Sequence, residues 1–225
     1  MKELTPDIYK RLHTAFGPQH WWPGDGPFEV MVGAILTQNT NWGNVEKAIN
    51  NLKASGVLDP LSIYKMDNST LSGLIRPAGY YNIKAERLKA FVGYFIKGYS
   101  GRVSKMKKRK TEVLRKELLD IKGIGPETAD SILLYALKRP VFVIDAYTKR
   151  ALSRHGIIVG KADYNEFQEL FHLVLPEDVA LFNEYHALFV RLGKEFCRPK
   201  PRCDGCPLYP LLPQELCHHV SPTGW

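Results

Sequence analysis

The sequence lacks any apolar run long enough to cross a bilayer, so no helical membrane span and no membrane partner is expected. It also lacks cysteine before Cys197, which leaves nothing to staple the bulk of the chain as in a small secreted fold. The amino terminus has no signal-peptide pattern, and a cytoplasmic protein is expected. Internal repeats and low-complexity linkers are absent, and convincing β segments are few. Acidic residues are in short supply: 23 against 31 basic ones, for a net charge of +8. That imbalance suggests a polyanionic partner, although composition alone also fits RNA binding or simple solubility. What remains is a 225-residue chain with 44% apolar residues, enough for one large domain or two lobes sharing a core.

The rest of the chain is organised around residues 111–150. Val113, Leu114, Leu118 and Leu119 repeat at helical spacing, as do Ala129, Ile132, Leu133, Ala136 and Leu137, so each segment has one face to bury. Between them lies Lys122-Gly123-Ile124-Gly125-Pro126. Its glycines can take positive φ and bring bare backbone close to a partner, while Pro126 suits the first turn of a helix. Backbone N–H groups at a helix N-terminus favour an anion, which in a basic protein points to nucleic-acid phosphate. A short apolar segment then ends in Asp145, placed to cap the next helix.

Upstream, a first helix starts at Thr5-Pro6-Asp7, with Ile8, Leu12 and Ala15 on one face and Gly17 as its stop. The loop 19–27 is rich in proline and glycine yet carries Trp21 and Trp22, which either plug the core or face a pocket. An apolar helix over 28–36 gives way to Thr37-Gln38-Asn39-Thr40-Asn41, and Trp42 opens the next helix, through 53. Two short helices follow within 59–75, then an amphipathic one over 84–97. Residues 105–110, the densest charge run, would add nonspecific phosphate attraction. Further helices are expected at 146–155, 164–174 and 177–196. His155, His172 and His186 are assigned packing or capping roles and no chemistry. The fold class is therefore all-α.

All four cysteines fall in Cys197-x5-Cys203-x2-Cys206-x10-Cys217. Four thiolates so close together could ligate a [4Fe-4S] cluster or a zinc ion, and spacing alone does not choose. Arg198, Lys200 and Arg202 lie inside the first loop and would bring positive charge to a nucleic-acid backbone.

Leu119 through Gly123-Ile124-Gly125 to Thr128-Ala129-Asp130, followed by Val143-Ile144-Asp145, resembles the helix-hairpin-helix and aspartate signature of the endonuclease III superfamily of DNA glycosylases. Leu36-Thr37-Gln38-Asn39-Thr40, Gly79-Tyr80-Tyr81-Asn82-Ile83-Lys84-Ala85 and the cysteines fall in the family's order, so the resemblance covers roughly residues 25–217. It implies two helical lobes with a cleft between them that holds Asp145. One lobe comprises residues 1–20 with 140–225, including the cluster loop; the other comprises 21–139, with the helix-hairpin-helix at about 111–137. It further implies a monomer acting on double-stranded DNA with a damaged base. In that setting Gln38 would enter the space left by an extruded base, Tyr80 would stand where the family has an apolar wedge, and Lys122, Gly123 and Gly125 would hold phosphate.

The same resemblance makes Asp145 the carboxylate that stabilises an oxocarbenium-like transition state and orients water. It implies an iron-sulfur cluster on Cys197, Cys203, Cys206 and Cys217, although the family's usual spacing is C-x6-C-x2-C-x5-C. Here the first gap is one residue shorter and the last five longer, a departure that falls on Cys217. Family members that also cut the strand carry a lysine at the position of Glu127, where an amine forms a Schiff base. A carboxylate cannot do so, and hydrolysis without strand cleavage is expected. Trp21-Trp22-Pro23, Leu36-Thr37-Gln38-Asn39-Thr40 and Lys122-Gly123-Ile124-Gly125 with Glu127 look most like the 3-methyladenine DNA glycosylase III branch, whose aromatic pocket, with Trp42 placed near it, suits a cationic base. Thymine or uracil from a mismatch is the alternative substrate, and a noncatalytic DNA-binding module the alternative class.

Overall fold

A computed structural model describes residues 4–22 and 24–212. Its chain forms two compact units: Met1–Trp21 with Pro140–Trp225, and Trp22–Arg139. Among the described residues the secondary structure is helical throughout, with no strand. No described helix is long and apolar enough to cross a membrane.

In the first unit α1 spans Leu4–Phe16. Ile8 and Leu12 are buried as the spacing predicts, but Ala15 is exposed. The buried stripe instead runs back to Thr5, whose carbonyl accepts a hydrogen bond from the Tyr185 hydroxyl at 2.6 Å. Gly17, at φ +68°, turns the chain out of the helix.

The second unit is built around α2, Pro27–Leu36, in which every residue from Val30 to Leu36 is buried. It packs against α3 (Trp42–Ala54) and α6 (Tyr81–Tyr99). Between these lie α4 (Pro60–Lys65), α5 (Asn68–Leu74) and a 3-10 turn, Arg76–Ala78. Phe28 stacks on Phe95 at 5.9 Å, and Phe95 on Phe91 at 6.0 Å, which binds α2 to α6 through aromatic faces. The charge run is not plain surface: α7 (Val103–Met106) buries Met106 and leaves Lys107 to Lys110 outside.

α8 (Thr111–Leu119) and α9 (Pro126–Ser131) flank the glycine hairpin. Beyond α9 the helix widens into a π-turn over Ile132–Ala136. The expected one-sided stripe does not hold there, because every residue from Thr128 to Leu137 is buried. α2 packs against both α9 and the π-turn, which removes the polar face an amphipathic helix would have needed.

Back in the first unit, α10 (Ala146–Arg154), α11 (Tyr164–Val174) and α12 (Val179–Glu195) follow. Their N-termini are legible because short acids stand there: Asp145, Asp163 and Asp178 each accept from first-turn N–H groups. α12 passes so close to α10 that a Cβ on Gly193 would sit 2.1 Å from the Tyr147 ring. Stacked and edge-on contacts among Phe142, Phe171, Phe182, Tyr185 and Phe189 fill the core beside them.

Candidate functional site

In the second unit the hairpin uses its two glycines differently. Gly123 lies at φ +87°, and a Cβ there would come within 2.5 Å of the Arg87 side chain, so both conformation and space require glycine. Gly125 is extended at φ −90°, so of the two only Gly123 uses the positive φ open to a glycine. A Cβ on Gly125 would meet nothing within 4 Å, so its bare backbone faces open space. Lys122 and Glu127 are exposed on either side of that surface. The two hairpin helices are joined by Arg115, which grips the fully buried Asp130 carboxylate through Nε (2.7 Å) and Nη2 (3.1 Å).

Gln38, half-buried in the loop after α2, is held against this hairpin. Its Nε2 donates to the Gly123 carbonyl (3.1 Å) and to Thr128 Oγ1 (3.0 Å), while its Oε1 accepts from Arg87 Nη1. Its amide is thus engaged with protein on both its nitrogen and its oxygen. Tyr80 is the opposite case. It is 69% exposed, in the left-handed region at φ +46°, just after Gly79 at φ +69°. A bulky residue in that conformation costs about 1 kcal/mol or more. Its neighbour Lys84 is buried, with Nζ donating to the carbonyls of Leu36 (2.9 Å) and Ala78 (2.7 Å). Burial, and next the charge of Arg87, push Lys84 down to about 8.

Trp22 and Trp42 come together, but edge to face rather than as parallel walls: ring centroids 5.1 Å apart, planes at 84°. Tyr135, from the π-turn, lies 4.8 Å from Trp22 at 39°, a neighbour that no sequence pattern announces. Trp21 is not in this group. It belongs to the first unit, where the Lys194 ammonium stands 5.6 Å above its ring.

Asp145 caps α10 with Oδ1, accepting from the Thr148 N–H at 2.7 Å. Its Oδ2 lies 3.5 Å from His186 Nε2. The carboxyl is buried, and burial alone would raise its pKa; the charge of His186, its hydrogen bond, and the N–H and hydroxyl of Thr148 outweigh that and hold it below the usual carboxylate value. A shielded carboxylate that stays ionised can stabilise a developing cation or orient water. His186 therefore does more than the packing or capping expected of it. His155 and His172 do keep structural roles: His155 bridges the carbonyls of Ala151 and Leu208, and His172 accepts from the Phe142 N–H.

Cys197 is buried, and Cys203 and Cys206 are half-buried. Cys217 lies outside the described residues. Burial raises the Cys206 thiol, and the nearby Cys197 and Cys203 raise it further. The loop between them is pinned by arginines: Arg150 Nε donates to the Cys197 carbonyl (2.6 Å), and Arg154 reaches Cys197 Sγ (3.4 Å) and the carbonyls of Arg198 (2.6 Å) and Pro199 (2.9 Å). Among the described residues no three His, Cys, Asp or Glu side chains form a metal-ion site. A donor set made of thiols, with peptide N–H groups of Leu208 and Tyr209 directed at Cys206, is of the kind that suits an iron-sulfur cluster or zinc. Arg198, Lys200 and Arg202 are exposed around the loop.

Comparison with known proteins agrees with this geometry. Residues 32–177 match the model of the HhH-GPD superfamily of base excision DNA repair proteins. A Methanocaldococcus jannaschii protein provisionally described as a DNA repair glycosylase is 52% identical over 208 residues, covering 92% of this chain and 94% of its own. Endonuclease III of Thermotoga maritima is 30% identical over 207 residues, covering 92% and 89%. Among solved structures, the 3-methyladenine DNA glycosylase of Helicobacter pylori bound to 1,N6-ethenoadenine superposes with a TM-score of 0.74 at 30% identity, covering 86% of this chain and 97% of that one.

Proposed function

The chain belongs to the HhH-GPD superfamily of base excision DNA repair proteins, and from that premise we propose that it hydrolyses the N-glycosidic bond of alkylated purines such as 3-methyladenine in double-stranded DNA, without cutting the strand. The observation that carries this reading is the Asp145 carboxylate, buried yet held in its charged form by His186 and Thr148.

As the bond between C1′ and the base stretches, positive charge moves onto the sugar, which takes on oxocarbenium character, and the fixed negative charge of Asp145 stabilises it more than it stabilises the uncharged sugar of the ground state. The bond's electron pair leaves with the base. For a cationic N-alkylpurine that departure yields a neutral base, so no acid is required. Water adds to C1′, and its proton passes to Asp145 or to solvent. Glu127 supports hydrolysis over lyase chemistry, because it offers no amine where the family's strand-cutting members carry lysine.

The half-buried indoles of Trp22 and Trp42 favour a cationic base through their electron-rich faces, with Tyr135 backing Trp22. Lys122, the hairpin backbone at Gly123 and Gly125, and the exposed Tyr80 would grip and kink the duplex. A [4Fe-4S] cluster held by Cys197, Cys203, Cys206 and Cys217 would brace the basic loop when bound, zinc being the alternative.

Single-turnover release of free base tests the reading directly. Methylated DNA should lose 3-methyladenine, Asp145→Asn should abolish release while still binding damaged duplex, and borohydride should trap no covalent complex. Trp42→Ala should slow release roughly tenfold or more, since base stacking contributes about 1–3 kcal/mol. Faster release of thymine from a guanine mismatch would replace the alkylpurine reading, and duplex binding with no base released would leave a noncatalytic module.

A further inference from the structure

The two residues with which this chain would probe a duplex sit on loops far apart in sequence, and one buried cation joins the two loops. Leu36 is the last residue of α2, two before Gln38, and Ala78 is the last of the 3-10 turn, two before Tyr80. Both carbonyls end a helical turn, where backbone oxygens are left without a partner in the helix and carry its partial negative charge. Lys84 Nζ donates to both, at 2.9 and 2.7 Å, from the first turn of α6, with 1% of its surface exposed. Among the described residues no carboxylate shares this ammonium. Burying a charge is unfavourable, and a cation sealed inside on two main-chain oxygens is a poor way merely to close a helix end that water could otherwise solvate. One turn further along α6, Arg87 holds the Gln38 side-chain oxygen and lies over Gly123. The same face of α6 therefore governs the main chain of both loops and the side chain of one.

We propose that Lys84 is a positioning residue that fixes the Gln38 and Tyr80 loops at one separation, so that the two side chains engage the same damaged site in a duplex as a single unit. Duplex DNA has a fixed rise, and two side chains entering one base-pair step from different loops must keep their spacing; an error of about 1 Å in such an arrangement can cost a hundredfold. Loops joined only through solvent would have to be ordered afresh at each encounter, against their conformational entropy, whereas the lysine orders them once on folding. This inference rests on the DNA-repair reading, but it concerns binding geometry and not the chemistry at Asp145.

The test is a double-mutant cycle on affinity for a duplex containing a tetrahydrofuran abasic analogue, which needs no base release. With Lys84 in place, Gln38→Ala and Tyr80→Ala should each weaken binding about tenfold, and the pair together little more than either alone, because the two act as one unit. In the Lys84→Met background, binding of the abasic duplex should already be about tenfold weaker, and the effects of the two substitutions should then multiply. Undamaged duplex should be affected far less. A general loss of structure would instead weaken both duplexes equally, and that result would overturn the proposal. Lys84→Arg, which keeps charge and donors, should restore part of the selectivity. If Lys84→Met does not fold, judged by circular dichroism, the cycle in the unmodified background decides alone: effects that multiply there overturn the coupling. Failure of the unmodified protein to release any base would end the glycosylase reading while leaving this cycle decidable.

Discussion

Asp145 uses one carboxylate for two purposes, and its two oxygens divide them: Oδ1 closes the first turn of α10 and Oδ2 faces His186. The same contacts that anchor the helix hold the group ionised against burial, so capping supports the catalytic role proposed for it. The sign of the pH effect follows. A folded-state pKa below the unfolded value contributes stability that is present above the unfolded pKa and is lost as pH falls through the folded one. His186→Gln removes the interaction with His186 that opposes the cost of burial, so the Asp145 pKa should rise. The acid limb of single-turnover base release should move to higher pH, and the stability that the low Asp145 pKa contributes should be reduced above the unfolded carboxylate pKa, with the difference between the two proteins shrinking as pH falls through the folded value. Superimposable acid limbs for the two proteins would remove His186 from the site.

At the scale of elements, the hairpin depends on how its two helices are tied. α8 and α9 meet through Arg115 and Asp130, a forked pair whose carboxylate is wholly buried. Removing one partner strands the other, which typically costs about 3–5 kcal/mol for a buried pair. Because Arg115 keeps a quarter of its side chain in solvent, Asp130→Ala should cost about 3 kcal/mol, near the low end of that range. Chemical denaturation followed by circular dichroism would measure it, and a destabilisation below about 1 kcal/mol would mean that the pair is no more than a surface bridge. Past α9 the π-turn carries Tyr135 to Trp22, a placement that fits the tendency of such wide turns to occur at functional sites.

For the whole molecule, the excess of positive charge acts mainly on encounter. Within the basic run the side chains are not equivalent. Arg109 is paired with Glu117, which also accepts from Tyr94 and Tyr99, and Arg139 holds the carbonyls of Lys107 and Arg109. Lys107, Lys108 and Lys110 stand exposed on that fixed backbone. Every phosphate that a lysine no longer neutralises should flatten the dependence of log affinity on log salt by about 0.9. Lys107→Glu with Lys108→Glu should therefore weaken binding to undamaged duplex and reduce that slope by about 2 if both lysines bind phosphate. An unchanged slope would return this run to plain solvated surface.

Local chemistry made much of this protein readable from its sequence. Aspartates before apolar periods mark helix starts, a glycine pair before proline marks a hairpin, and four late cysteines mark a loop with its own chemistry, because each signal acts within a few residues. Tertiary structure alone decided which buried faces meet. Gln38 binds a carbonyl 85 residues away and Lys84 one 48 residues away. His186, on a helix that reads as ordinary core, became the partner of Asp145 only because α12 packs on α10 closely enough to need Gly193. Apolar periodicity tells which side of a helix avoids water; it carries no information about which helix covers that side, and so polar partners across such an interface stay invisible until the chain is folded.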